Sequence, residues 1–380
     1  MNSFVVGKRI MQTGSYKAFI PNKFPPDVEI KYSKEILSAH TEAVHLLGKL
    51  DGVASRLPDR DWFLMMFLSK DASSSSQIEG TNATMLDVFE KQNVEPRSSI
   101  PVDVDDIMHY IEALDYGIKR SGEFPFSLRF IRELHEKLMI DARTTQHAYP
   151  GEFRSSQNWI GGTRPDNARF VPPPVQEMHR ALSDLEKFIH DDDGYPVLIK
   201  AGLLHAQFEA IHPFTDGNGR TGRMLITMFL WKKKLLEMPV LYLSSYFKMH
   251  QQIYYERLDG YHHGKVLEWL NFFLDGITET AHSAIETCIG ITELRDRDMQ
   301  KIYSLGKTAA KSTMNILINL YKIPIVGIAD IVKWTGFTNR GGYKAIERLV
   351  EMNILKPLKV GKSVYSQKWI YADYLALFSE

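Results

Sequence analysis

Apolar residues recur at three- and four-residue spacing over most of this chain, which predicts a mainly helical protein. From Ser33 onward, Ile36, Ala39, Val44, Leu46, Leu47 and Leu50 form one such stripe. A second helix, opened by Pro58-Asp59, is expected from Asp61 to about Lys70 and carries Phe63, Leu64, Met66 and Phe67. The serines at 73–76 follow it. Further helices are expected over 103–120, 127–141, about 175–190, 195–211, 221–234, 249–262 and 264–290. The one at 221–234 is apolar enough to be central.

Two stretches break this period. Residues 1–30 are rich in Pro, Gly and aromatics and read as an irregular surface arm. The segment 148–175 holds seven Pro or Gly residues before Pro174. Within it, Asn158-Trp-Ile160, Gly161-Gly162 and Ala168-Arg-Phe-Val171 read as a hairpin.

Past the charged stretch Arg295-Asp-Arg-Asp the pattern changes again. Helices are expected at 313–321, 326–334 and 340–352, with a turn at Gly336 and two strands within 356–371 around Gly361. Helix-turn-helix followed by a hairpin is the winged-helix pattern, so residues 300–380 are expected to form a separate module. Charge sharpens the division. The whole chain has 46 Lys and Arg against 46 Asp and Glu, so no global field favours nucleic acid or membrane. From residue 301 onward, however, Lys and Arg number 12 against 5 acids, leaving 34 against 41 before it. This basic tail admits two readings. In one it binds DNA, with Asn339, Arg340, Tyr343 and Lys344 opening a recognition helix and Lys356, Lys359 and Lys362 in the wing. In the other it is a protein-interaction module that happens to be basic.

A single cysteine, Cys288, excludes an intramolecular disulfide and a Cys-based zinc site. With no run of 18 apolar residues and no signal-like start, a cytoplasmic protein without a membrane partner is expected.

The densest chemistry lies at Asp216-Gly-Asn-Gly-Arg220. Two glycines flanking an asparagine ahead of an apolar helix expose backbone N–H groups at a helix start, a geometry that binds phosphate. Arg220 and Arg223, three apart, are expected to project from nearly one face toward that loop and to hold a polyphosphate. Asp216 offers the hard oxygen that Mg²⁺ prefers, and His212 can serve as a base near neutral pH. These groups within twelve residues point to phosphoryl or nucleotidyl transfer. No Walker A or kinase signature is present. The plainer reading is a surface turn with two solvated arginines.

The run His212-Pro-Phe-Thr-Asp-Gly-Asn-Gly-Arg-Thr-Gly-Arg223 resembles the signature of the Fic family at every fixed position. The resemblance implies a Fic-type helical core with a small β-hairpin flap, an N-terminal region over 1–120 and a catalytic core over 121–295. It implies a protein adenylyltransferase using ATP and Mg²⁺. His212 would take the proton of a target hydroxyl, and Asp216 would hold the metal. Gly217, Asn218, Gly219, Arg220, Thr221, Gly222 and Arg223 would bind the phosphates, with Phe214 anchoring the loop. Gly151-Glu-Phe-Arg154 and the hairpin bearing Trp159, Ile160, Gly161 and Gly162 look like the family's flap, which clamps a target segment. Tyr254 and Tyr255, with Leu258, fall where the family lines its adenine pocket, although aromatic residues at this spacing are equally core.

Ser75-Ser-Gln-Ile-Glu79-Gly80 fits the family's inhibitory motif. Glu79 would occupy Arg223, and Ser75 would tether the helix end. The plainer reading makes Glu79 an exposed acid at a helix end. His205 is read as structural, and His262-His263 as a solvated pair. The partners implied are a protein with a Ser, Thr or Tyr hydroxyl, self-modification included, and a second copy in a homodimer. Two alternatives stay open: another transfer or AMP removal on the same scaffold, and a nucleotide-sensing DNA-binding regulator.

Overall fold

The computed structural model describes residues 5–26, 34–57, 60–92, 103–121, 125–140, 149–191, 194–358 and 367–378. Pro58-Asp59 and the wing residues Lys359, Gly361 and Lys362 lie outside them.

Near the N-terminus, β1 (Gly7–Gln12) and β2 (Tyr16–Pro21) pair antiparallel, so part of the expected irregular arm is a hairpin. Gly14 and Ser15, at φ 103° and 64°, supply the left-handed turn. Ala18, Phe19 and Ile20 of β2 are buried and hold the ribbon to the body.

Helix α1 (Lys34–Ala54) buries Ile36, Leu46, Leu47 and Leu50, while Val44 faces outward. Helix α2 (Arg60–Ile78) runs eight residues beyond the expected end and takes in the serine cluster. Those serines are buried. Hydroxyl-sized side chains let neighbouring helices approach, as where Ser74 meets Ser245 at 3.2 Å. Helix α3 (Met85–Gln92) has no counterpart in the apolar pattern; Thr84 and Asp87 cap its start reciprocally.

Helices α4 (Val104–Ser121), α5 (Leu128–Met139) and α6 (Val175–His190) surround a central pair, α7 (Val197–Ile211) and α8 (Asn218–Lys232). From Leu198 to Ile211 every residue of α7 is buried. The expected start of α8 at 221 is three residues late, because left-handed Gly217 turns the chain directly into the helix. Helices α9 (Ser244–Met249) and α10 (Gln251–His262) close the site side.

Helix α11 (Val266–Tyr303) spans 38 residues and lies along α1. It runs past the expected end at 290 and through the expected boundary near 300. The stretch Arg295-Asp-Arg-Asp is therefore helical rather than a linker: buried Asp298 accepts from Tyr371 at 2.7 Å and from Arg297 at 2.8 Å.

After it come α12 (Lys307–Leu320), β3 (Ile325–Val326), α13 (Ile328–Thr335), α14 (Asn339–Glu351), β4 (Lys356–Leu358), β5 (Lys368–Ile370) and α15 (Ala372–Ala376). The three strands form an antiparallel sheet in the order β3-β5-β4. This end packs on α2: Phe63 lies 5.2 Å from Tyr321, and Phe67 5.3 Å from Phe378. Among the described residues, no helix is long and apolar enough to cross a membrane.

Candidate active site between α7, α8 and α2

His212 caps α7 in the left-handed region, at φ 49° and ψ 61°. That conformation is uncommon for a residue with a Cβ and persists only where its surroundings enforce it. Several groups do so here. The Arg154 Nε donates to the His212 carbonyl at 3.0 Å, and its Nη2 donates to Pro173 at 2.6 Å. Asn158 donates to the Phe214 carbonyl at 2.9 Å. Phe214 is fully buried and stacked on His135 at 3.6 Å. The ring of His135 accepts from the Gly151 N–H, so its other nitrogen donates to the Asp216 carbonyl at 2.9 Å. Burial holds His135 neutral, with a pKa near 4.

The Asn218 side chain closes the loop on itself. Its oxygen accepts from the Phe214 N–H and its amide donates to the Phe214 carbonyl, both at 2.8 Å. The Asn218 side chain is thus committed to the loop. Gly217 is required by its φ of 75° and by Met139, whose sulfur would lie 2.7 Å from an added Cβ.

Arg223 is buried and fully engaged. Its Nε donates to the Ser75 hydroxyl at 2.8 Å, and its Nη2 donates to the Ser75 carbonyl at 2.9 Å and to Glu79 at 2.7 Å. Burial alone would lower its pKa, yet the Glu79 carboxylate and nearby tyrosines raise it, so the guanidinium is charged. The Ser75 hydroxyl therefore holds Arg223 directly. Gly219 makes room for the acid, since a Cβ there would strike the Glu79 carboxylate. Beneath this pair Asp71 accepts from Tyr110 at 2.9 Å and from the Ser244 N–H at 3.1 Å.

Two adjoining cavities meet at Glu79, His212 and Gly219. The first, about 460 Å³, is lined by Asp216, Gly217, Asn218 and Arg220 and is the more polar. The second, about 470 Å³, is lined by Trp159, Ile160, Gly161, Arg223, Tyr254 and Tyr255 among others. Arg220 and Arg223 thus serve different cavities rather than converging on one. Thr221 and Gly222 line neither. Gly222 lets α7 and α8 touch, since a Cβ would meet Glu209 and Phe208. Gly162 shapes the hairpin turn at φ 74°, and one bridge, Ile160 to Phe170, joins its arms. Tyr254 is buried in the core as well, with its hydroxyl 2.8 Å from His205. The Tyr255 hydroxyl reaches the Ile78 carbonyl at 3.4 Å. Asp216 supplies one hard carboxylate to the polar cavity beside the α8 amides, a donor set that suits Mg²⁺ completed by phosphate oxygens.

His205 is structural: it donates to the Gly222 carbonyl at 2.9 Å and accepts from Tyr254. His262 is largely buried and stacked on Phe170 at 3.9 Å, so it is not half of a solvated pair. Sequence reading missed the roles of Arg154, His135, Asp71 and Glu209. His135 had a signal, since it interrupts the apolar stripe of Ile131, Leu134 and Leu138.

At the basic end, Asn339, Arg340 and Lys344 are exposed at the start of α14. Tyr343 packs edge-on against Trp369 at 6.1 Å, and Lys356 pairs with Asp373 at 2.9 Å.

Comparison with known proteins agrees with this architecture. Residues 37–119 match the model of the Fic/DOC family N-terminal region, and residues 125–230 match that of the Fic/DOC family. The protein adenylyltransferase Fic of Aedes aegypti is 29% identical over 178 residues, covering 45% of this chain and 31% of the relative. A probable protein adenylyltransferase of Aquifex aeolicus is 27% identical over 174 residues, covering 46% and 51%. The chain thus spans about a third to a half of the length of these relatives. Two solved structures share the fold. A Fic family protein from Desulfovibrio desulfuricans aligns with a TM-score of 0.56 at 18% identity, over 89% of this chain and 96% of that one. A Fic-domain signalling protein from Bacteroides thetaiotaomicron aligns at 0.51 and 19%, over 68% and 97%. With the signature folded at the helix junction and two consecutive family regions matched, the chain belongs to the Fic/DOC family.

Proposed function

We propose that this chain is a protein adenylyltransferase that moves AMP from ATP to a side-chain hydroxyl of a protein, restrained by its own Glu79. The observation that carries the reading is the shared wall of the two cavities, where His212, Gly219 and Glu79 meet. In it, the hydroxyl oxygen attacks the α-phosphorus in line, the bond to the bridging oxygen of pyrophosphate breaks, and His212 accepts the hydroxyl proton. Bound beside Asp216, Mg²⁺ supplies charge neutralisation to the polyphosphate. Main-chain N–H groups at the start of α8 and the Arg220 guanidinium hold phosphate oxygens, while the apolar cavity takes the adenosine. The hairpin edge at Trp159 to Gly161 receives the target segment by strand addition.

Arg223 suits the terminal phosphate, but the salt bridge at 2.7 Å gives that cation to Glu79. Supporting the restraint is the burial of Arg223, whose side chain is 2% exposed against 39% for the Glu79 side chain that reaches it. A group so desolvated strongly prefers a partner, so phosphate has to displace the acid.

Incorporation of α-labelled ATP, into the chain itself or into a lysate, tests the reading. Glu79→Gly is expected to raise labelling by about tenfold or more, a change worth about 1.4 kcal/mol. His212→Ala in that background is expected to lower it by about a hundredfold or more, the usual worth of a general base. Equal labelling of wild type and Glu79→Gly refutes the restraint, and labelling that survives His212→Ala refutes the mechanism.

A further inference from the structure

Glu209 belongs to no part of the signature, yet it sits one turn before His212 on α7, with its carboxylate 4.0 Å from the His212 Nδ1. The nearer oxygen is Oε2; the Glu209 Oε1, on the Gly222 side, and the His212 Nδ1 are each buried without a hydrogen-bond partner among the described residues. A buried polar group left so is costly unless it finds a partner during function. Gly222 gives the carboxylate its space on the α8 side, and Glu209 also forms part of the apolar cavity wall. We propose that Glu209 is a positioning residue for His212, accepting the Nδ1–H so that Nε2 presents its lone pair to the target hydroxyl.

A base that takes a proton at Nε2 must already carry one at Nδ1, and an anionic acceptor there orients the ring and stabilises the imidazolium formed. Rotation of the Glu209 side chain by about an ångström brings 4.0 Å into hydrogen-bond range. The main-chain carbonyl of Glu209 also faces the ring and can hold the same tautomer, but it brings no net charge. Other charges around His212 act in both directions. Arg154 disfavours the imidazolium, whereas Glu79 and Asp216 favour it. Around Glu209, burial disfavours the carboxylate most, Arg223 favours it and Glu79 opposes it. Withdrawal of Glu79 thus favours the anionic form that His212 requires.

This inference rests on the proposed role of His212 as base, so its test reads the imidazole itself as well as turnover. In full-length Glu79→Gly protein labelled with ¹⁵N-histidine, the His212 signal is assigned by its loss in His212→Ala. Adding Glu209→Gln, which keeps the shape and removes the charge, is expected to lower the His212 titration midpoint by about one pH unit. It is also expected to lower kcat by about tenfold or more with the KM for ATP unchanged within about twofold. Glu209→Asp is expected to recover part of both. An unmoved midpoint overturns the proposal, as does a raised KM with unchanged kcat, which assigns Glu209 to Arg223 and the nucleotide. If the midpoint shifts but the Glu79→Gly parent transfers no AMP, the adenylylation reading fails and the Glu209–His212 pairing stands.

Discussion

Asn218 both donates to and accepts from Phe214, so one side chain fixes the curvature of the loop between α7 and α8. Asn218→Ala is expected to leave the buried Phe214 N–H unpaired while Asn158 still donates to the Phe214 carbonyl, at about 1–3 kcal/mol. A melting experiment should show the lower midpoint, and AMP transfer should fall with it; an unchanged midpoint contradicts the brace. Titration makes a second claim at this scale. Burial lowers His135 and His212 to about 4 and His205 and His262 to about 3, against 6.5 unfolded. Between pH 6.5 and about 4 the unfolded chain therefore binds protons that the folded chain refuses, and stability is lost as pH falls through that window. Each such histidine contributes up to about 1.4 kcal/mol per pH unit. Glu209, raised by burial to about 7, and Asp71, also raised by burial, act in the opposite sense, taking up protons in the folded state first. Burial also lowers His40 and raises Asp275, and the five histidines outweigh the three acids, so the unfolding midpoint should fall from pH 6.5 to 4.5; a flat profile would contradict this. At residue scale the sequence disclosed which residues gather around the two cavities better than what each one touches there. Asn218, Thr221 and Gly222 belong to the signature because they shape and pack the loop, a role that spacing alone cannot separate from ligand contact.

Helix α2 shows the same limit one level up. Its serines fell beyond the expected helix end, and serine competes for backbone hydrogen bonds. Burial against α9 overrides that preference, and the helix carries on to deliver Ser75 and Glu79 to Arg223. Its other half lies under the C-terminal end, with Phe63 and Phe67 against Tyr321, Tyr374 and Phe378. If the restraint depends on where α2 is held, loosening this seat should weaken it. Phe378→Ala is expected to raise AMP transfer in the wild-type background and to leave it unchanged in Glu79→Gly. Equal effects in both would mean that the seat acts on general stability alone. By contrast α6, α7 and α14 were legible to within two residues, since amphipathic or wholly apolar runs with clear breakers define them.

For the molecule as a whole, the helical class was readable, but the junction expected near residue 300 falls inside α11. Charge in Arg295-Asp-Arg-Asp resembled a linker because sequence cannot show that Tyr371, far along the chain, satisfies Asp298. The result is one helix, about 57 Å long at 1.5 Å per residue, joining the two ends. Glu79 stands between the polar and the apolar cavity, and its position bears on affinity in a further way. On the proposed reading, each cavity takes one half of a nucleotide, phosphate chain or nucleoside. A ligand whose halves are covalently joined gains from effective concentration only when both can be seated at once. The acid therefore acts on the connection between the two sites as well as on Arg223. Adenosine alone should bind almost equally with or without it, triphosphate should lose the Arg223 contact, and the intact nucleotide should feel the acid's full weight.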